Sequence, residues 1–188
     1  MSAAVGPARA VHYDRVARTG HWLVAALTVV VVALGWAISG TPRNTPQREL
    51  LLLLHRSVGL TVLAVMVFRA GWRWRHPPPP LPLALTRIEM ALARFTHLAL
   101  YVILIVMPIA GYLNAAAAGH TVSLFGVLQV PPCLPENGRL SQAAIAAHLV
   151  GQYVLYLFVA LHIAEALYHG VIRRDRVLDR MLPARRHR

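Results

Sequence analysis

Apolar residues fall in four long runs along this chain, separated by short segments rich in proline and arginine. The runs cover about residues 21–39, 50–72, 95–118 and 143–171. Each reaches the ~20 residues that a helix needs to cross a hydrocarbon core of ~30 Å. The breaks between them are turn-rich. Thr41-Pro42-Arg43-Asn44-Thr45-Pro46 closes the first run, and His76 followed by Pro77, Pro78, Pro79 and Pro80 forms a stiff polyproline spacer after the second. Pro131, Pro132 and Pro135 interrupt the third connector, whose Val122-Ser123-Leu124-Phe125-Gly126 stretch is apolar enough to lie on a membrane surface. The predicted fold class is all-α: an integral membrane four-helix bundle, one domain over residues 1–188, with no room for a separate soluble domain.

Composition agrees with that pattern. The 188 residues are 57% hydrophobic and 14% charged, with a mean hydropathy of +0.53. A formal net charge of +12 would fit nucleic acid, but the arginines flank apolar spans and do not alternate with aromatics on a soluble face. No nucleic-acid partner is expected; membrane lipid is. The lone cysteine, Cys133, excludes an internal disulfide and a thiolate-held zinc or iron–sulfur centre.

All nineteen basic residues are arginines, and their placement orients the spans. Fifteen lie before the first span, between the second and third, or after the fourth. Only Arg43, Arg48, Arg56 and Arg139 lie on the other side. Both termini are therefore expected in the cytoplasm. The basic lead-in and the Ala37-Ile38-Ser39 ending also fit a signal peptide, but the first run exceeds the ~7–15 residues of a typical signal core and is read as a span.

Histidine supplies the candidate chemistry. His148 and His162 are fourteen residues apart in the fourth run, just under four helical turns, so both point from one face with ~21 Å between them. An ionisable side chain costs ~2.5–3.5 kcal/mol or more at a bilayer centre, so two on one stripe need a compensating partner. His21 opens the first run and lies near the cytoplasmic face; His55 opens the second and lies near the outer face. Equal depth pairs His55 with His148 and His21 with His162, closing two bis-histidine haem sites between helices. The same step of fourteen from His21, His55 and His97 lands on Gly35, Arg69 and Gly111. Gly35 and Gly111, with Gly59 one turn beyond His55, would let a flat macrocycle approach the backbone, or would serve helix–helix contact. Arg69 would pair with a propionate or snorkel to the interface. His97 is placed to hydrogen-bond a propionate or a bound molecule, and His169 lies two turns beyond His162 at the cytoplasmic surface.

These residues in this order give the chain a resemblance to the bacterial two-haem cytochrome b561 family, the group that includes the superoxide oxidase of the bacterial inner membrane. The carriers are Tyr13 through His21-Trp22, His55 with Gly59 and Arg69, His97 with Pro108 and Gly111, then His148, His162 and His169. In the family, positions matching His21, His55, His148 and His162 hold two b haems. The resemblance implies a multi-pass inner-membrane protein that carries electrons from an outer one-electron donor, superoxide, to ubiquinone near the cytoplasmic side. A quinone site there would use His169 and Thr19, whose plainer roles are an interfacial histidine and a cap on the first helix. Glu165, three residues from His162, would relay protons or pair with a basic neighbour. An anionic donor would be steered by Arg56, Arg43, Arg48 and Arg139, diluted by Glu49 and Glu136. A different reading is a haem-carrying anchor that links a soluble dehydrogenase or hydrogenase to the quinone pool.

Overall fold

The computed structural model describes residues 12–79, 85–175 and 177–182. Four helices dominate it: α1 (Arg15–Gly40), α2 (Pro46–Arg75), α3 (Arg87–Ala117) and α4 (Gly138–Leu167). All four are long and apolar enough to cross a membrane. The helices overrun the apolar runs because polar residues outside those runs start them. Asp14 accepts from the Ala17 N–H at 2.8 Å, Thr45 from Arg48 at 3.3 Å with Pro46 in the first turn, and Asn137 from Leu140 at 3.0 Å. Thr86 and Glu89 form a reciprocal capping box on α3. At the other end of α1, the Arg48 guanidinium donates to the carbonyl of Thr41 and to that of Ile38, which also accepts from the Thr41 N–H at 3.3 Å.

The bundle is inside-out in polarity. Large apolar side chains such as Val29, Trp36, Leu98, Val102, Val150 and Leu157 are exposed and form the surface that lipid would cover. The small apolar core joins Val24 of α1 to Val62 and Met66 of α2, with Tyr101, Leu104 and Ile105 of α3 packed against it. Neighbouring helices pack α1 on α2, α2 on α3 and, most extensively, α3 on α4. Close approach at the last pair depends on Gly151, where an added Cβ would collide with the Met107 sulfur. Asn114 and Ser141 then clasp the two helices through bonds of 3.0 Å. By contrast, α4 scarcely approaches the backbones of α1 and α2. A seam is left between them.

Two caps close the bundle. Between α3 and α4, β1 (Val122–Leu124) and β2 (Leu128–Val130) form an antiparallel hairpin with Val122 opposite Val130. Its turn uses left-handed backbone at Phe125 (φ 51°) and Gly126 (φ 76°), the handedness that suits a tight hairpin. Strand β1 lies on α2, held by the fully buried Ser57. That hydroxyl donates to the Leu53 carbonyl at 2.7 Å and accepts from the Phe125 N–H at 2.8 Å. At the opposite end, α4 passes into a π-helical turn (Tyr168–Arg173), and a 3₁₀ turn (Leu178–Met181) folds back under α1. Trp22 and Arg18 donate to the carbonyls of Met181 and Leu182, and Arg180 to that of Pro79. The starts of α1 and α3, the end of α2 and the end of α4 therefore share one end of the bundle.

Replacing Ser57 by alanine removes only the hydroxyl, and with it the acceptor for the Phe125 N–H. The expected loss is about 1–3 kcal/mol, seen as a lower thermal midpoint in detergent and faster proteolysis within residues 122–130.

Candidate functional site

The seam left by α4 is where the histidines of the spans meet. Two ring pairs face each other across it: His55 of α2 with His148 of α4, and His21 of α1 with His162 of α4. In both pairs the ring centroids are 6.0 Å apart. Two metal–imidazole bonds of about 2 Å each, with both ring radii added, come to about this spacing. His97 also approaches His162, but its centroid is only 5.1 Å away, too short for a metal between them, and its Nδ1 is engaged with the Ala93 carbonyl at 2.5 Å.

At the His55 level the ring nitrogens sort themselves. His55 Nδ1 lies 3.1 Å from the Val31 carbonyl and His148 Nδ1 lies 3.0 Å from the Met107 carbonyl. A carbonyl only accepts, so each Nδ1 carries the proton and each Nε2 presents a lone pair, as metal-binding histidines do. At the His21 level, His162 Nδ1 is buried with no hydrogen-bond partner among the described residues. Arg69 lies close enough to act electrostatically on both His21 and His162. It donates to the Gly20 carbonyl at 3.3 Å and stacks over Tyr101.

The His55–His148 pair opens into a cavity of about 100 Å³. Besides the two histidines its walls include Gly35, Gly59, Gly111, Arg56, Gln152 and Tyr156. The glycines divide into two kinds. A Cβ at Gly35 would stand 3.5 Å from His55 Cε1, and one at Gly111 would stand 3.4 Å from His148 Cε1. These two make room for imidazoles, not for a macrocycle directly. Gly59 meets nothing within 4 Å and lies open to the cavity, where a flat ring would need it bare.

The residues expected near the quinone end are arranged differently from the sequence reading. Thr19 is exposed, its side chain makes no hydrogen bond among the described residues, and Asp14, not Thr19, caps the helix. His169 is buried, only 4% exposed, and its Nδ1 lies 2.6 Å from Asp175 Oδ2. Glu165 is half-buried and forms no ion pair with an arginine among the described residues; its electrostatic neighbours are His97 and His169. Asp175 escaped notice in the sequence because it sits in an arginine-rich tail. Gln152 and Tyr156, one and two turns past His148, were readable as cavity residues from spacing alone.

On the far side of Arg56 a second, larger cavity reaches the surface. Arg43, Arg48, Glu49, His120 and Ser123 line it, giving a predominantly basic vestibule beside the outer histidine pair.

An α-helical membrane bundle with imidazole pairs facing at two heights defines a class of membrane cytochromes. The comparisons agree. Residues 12–184 match the family model for prokaryotic cytochrome b561. Cytochrome b561 homolog 2 of Escherichia coli (strain K12) is 34% identical over 176 residues, covering 90% of each chain. A probable superoxide oxidase CybB of Yersinia pestis is 28% identical over 166 residues, covering 88% of this chain and 93% of that one. The chain belongs to the prokaryotic cytochrome b561 family, and with it comes haem b binding, electron transport and a multi-pass membrane fold.

The Gly111 geometry has a measurable consequence. A Cβ there makes ordinary van der Waals contact with His148, so Gly111→Ala is expected to keep its haem. Gly111→Leu must displace that ring and is expected to purify with less haem per polypeptide, assayed as the pyridine haemochrome.

Proposed function

We propose that this protein is a di-haem b oxidoreductase of the bacterial inner membrane. It passes electrons from superoxide on the periplasmic side to ubiquinone near the cytoplasmic side. The observation that carries this reading is the repetition of one 6.0 Å imidazole spacing at two levels of a single open seam. His55 and His148 would hold the outer haem iron, and His21 and His162 the inner one. Haem held by two imidazoles would supply one-electron carriage, chemistry suited to outer-sphere transfer and not to oxygen activation.

The chain's own groups supply the rest. Arg69 is placed to neutralise a propionate at the inner level, and Gly59 leaves backbone bare for the outer macrocycle. The vestibule of Arg43, Arg48 and Arg56 gives an anionic donor a favourable local field next to the outer pair. Arg48 keeps its charge there while its N–H groups cap α1. The name of the Yersinia pestis relative supports superoxide as that donor. By sequence, fifteen of the nineteen arginines fall up to the start of α1, from the end of α2 to the start of α3, or from the end of α4 onward, which supports a cytoplasmic location for the end of the bundle where α1 begins. Quinone reduction takes two electrons and two protons and needs donors within ~2.6–3.2 Å of the carbonyl oxygens. Thr19, Glu165 and His169 are the polar side chains of that end assigned to it.

The decisive experiment is stopped-flow mixing of purified protein with superoxide, with and without a soluble ubiquinone analogue. Haem reduction that is followed by quinol formation is expected; haem that stays oxidised, or copurification with a soluble dehydrogenase that alone reduces it, would replace this reading with a relay subunit. His148→Ala and His162→Ala are each expected to lower haem content to roughly half. Glu165→Gln is expected to slow quinol formation with haem content unchanged, and unchanged turnover would remove Glu165 from the proton path.

A further inference from the structure

Asp175 is held against His169 by an unusual stretch of backbone. The helix that carries the two seam histidines of α4 loosens into a π-turn over Tyr168–Arg173, and Arg174 then adopts left-handed backbone at φ 52°. Both features carry a conformational cost for non-glycine residues and recur where a local geometry is needed for function. Their combined effect is to reverse the chain within six residues. The Asp175 N–H meets the His169 carbonyl at 3.3 Å, and the carboxylate meets the His169 ring at 2.6 Å. Gly170 leaves room for the returning chain: a Cβ there would lie 2.8 Å from Leu178 Cδ2, so that side chain would have to shift.

The carboxylate is fixed on more than one side. Asp175 Oδ1 accepts from the Val177 N–H at 3.2 Å, and Arg173 Nε lies 3.6 Å from Oδ2. Arg173 in turn pairs with Glu89 of the α3 capping box, tying the arrangement to a second helix. Side-chain exposure is only 5% for His169 and 11% for Asp175. A buried carboxylate that has an arginine and a backbone N–H at hand does not need an imidazole to be stable. An imidazole with a carboxylate on Nδ1, however, is left with one defined tautomer.

We propose that Asp175 is the positioning residue of the quinone end: its carboxylate holds His169 with the proton on Nδ1, reserving Nε2 to deliver a proton to a quinone oxygen. The proposal rests on the quinone reading above. As the quinone takes two electrons from the donor, one O–H bond forms with the proton leaving Nε2 of doubly protonated His169, while Nδ1–H stays bonded to Asp175. The second oxygen takes its proton from water, and the imidazole is reprotonated from the same source. Asp175 remains a carboxylate throughout and never touches the quinone. Glu165, one turn before His169, and Arg173 are the other charged groups acting on this pair.

The test uses full-length haem-loaded protein, reduced stoichiometrically with dithionite and mixed with a water-soluble ubiquinone analogue, with haem reoxidation as the signal. Asp175→Asn is expected to lower the limiting rate about 10- to 100-fold, the range for losing a histidine's orienting partner. The half-saturating quinone concentration and the haem content should not move, and Asp175→Glu should restore most of the rate. Nitrogen NMR of histidine-labelled, reduced protein should place the His169 proton on Nδ1 in the wild type and show that signal shifted in Asp175→Asn. A normal limiting rate in Asp175→Asn, a loss that tracks loss of haem, or no recovery in Asp175→Glu overturns the proposal. His169→Gln separates the two levels: if it is slow while Asp175→Asn is normal, the quinone reading stands and the positioning role falls. If both are normal, the quinone reading itself fails.

Discussion

An imidazole inside a membrane span has two ring nitrogens to satisfy and no water to satisfy them, so each buried histidine constrains what surrounds it. In this bundle the constraint is met at the His55 level by splitting the two nitrogens. Nδ1 turns to a backbone carbonyl of a neighbouring helix, Val31 for His55 and Met107 for His148, and Nε2 turns to the facing ring. That solution needs α4 to stand away from α1 and α2 while remaining tightly packed on α3. Gly151 and the Asn114–Ser141 clasp secure the tight side. Gly35 and Gly111 give the rings room on the open side.

The two levels of the seam are not equivalent. The outer one is roofed by the hairpin, bordered by a cavity and fully paired at Nδ1. The His21–His162 level crowds three imidazoles together with Arg69, and leaves His162 Nδ1 without a hydrogen-bond partner among the described residues. Below it, α4 abandons regular α-helix, and a returning segment covers the end of the bundle. The difference is what a molecule passing electrons between unlike partners would need: a basic approach at one end and proton-carrying groups at the other.

Much of this was legible in the residues. Four apolar runs imply four helices because no other open structure satisfies the backbone in lipid. The fourteen-residue step from His148 to His162 places both on one face by helical geometry alone. The glycine positions were legible too, but not what they face: Gly35 and Gly111 meet imidazoles, whereas Gly59 meets open space. Where the local geometry left the α-helix, periodicity failed. The π-turn and the return of Asp175 to His169 leave no periodic signal, and the short hairpin at Val122–Val130 was read as an apolar connector.

The amino-acid order alone determined the membrane fold, its count of spans, its charge asymmetry and the depth of each histidine, because all of these follow from hydropathy and a fixed rise per residue. Only the tertiary structure decided which helices part and which close up. It also decided which ring nitrogen carries each proton at the outer level, and that Asp175 returns to His169. Those depend on contacts between residues far apart in the chain or on irregular backbone, and neither leaves a periodic trace in the sequence.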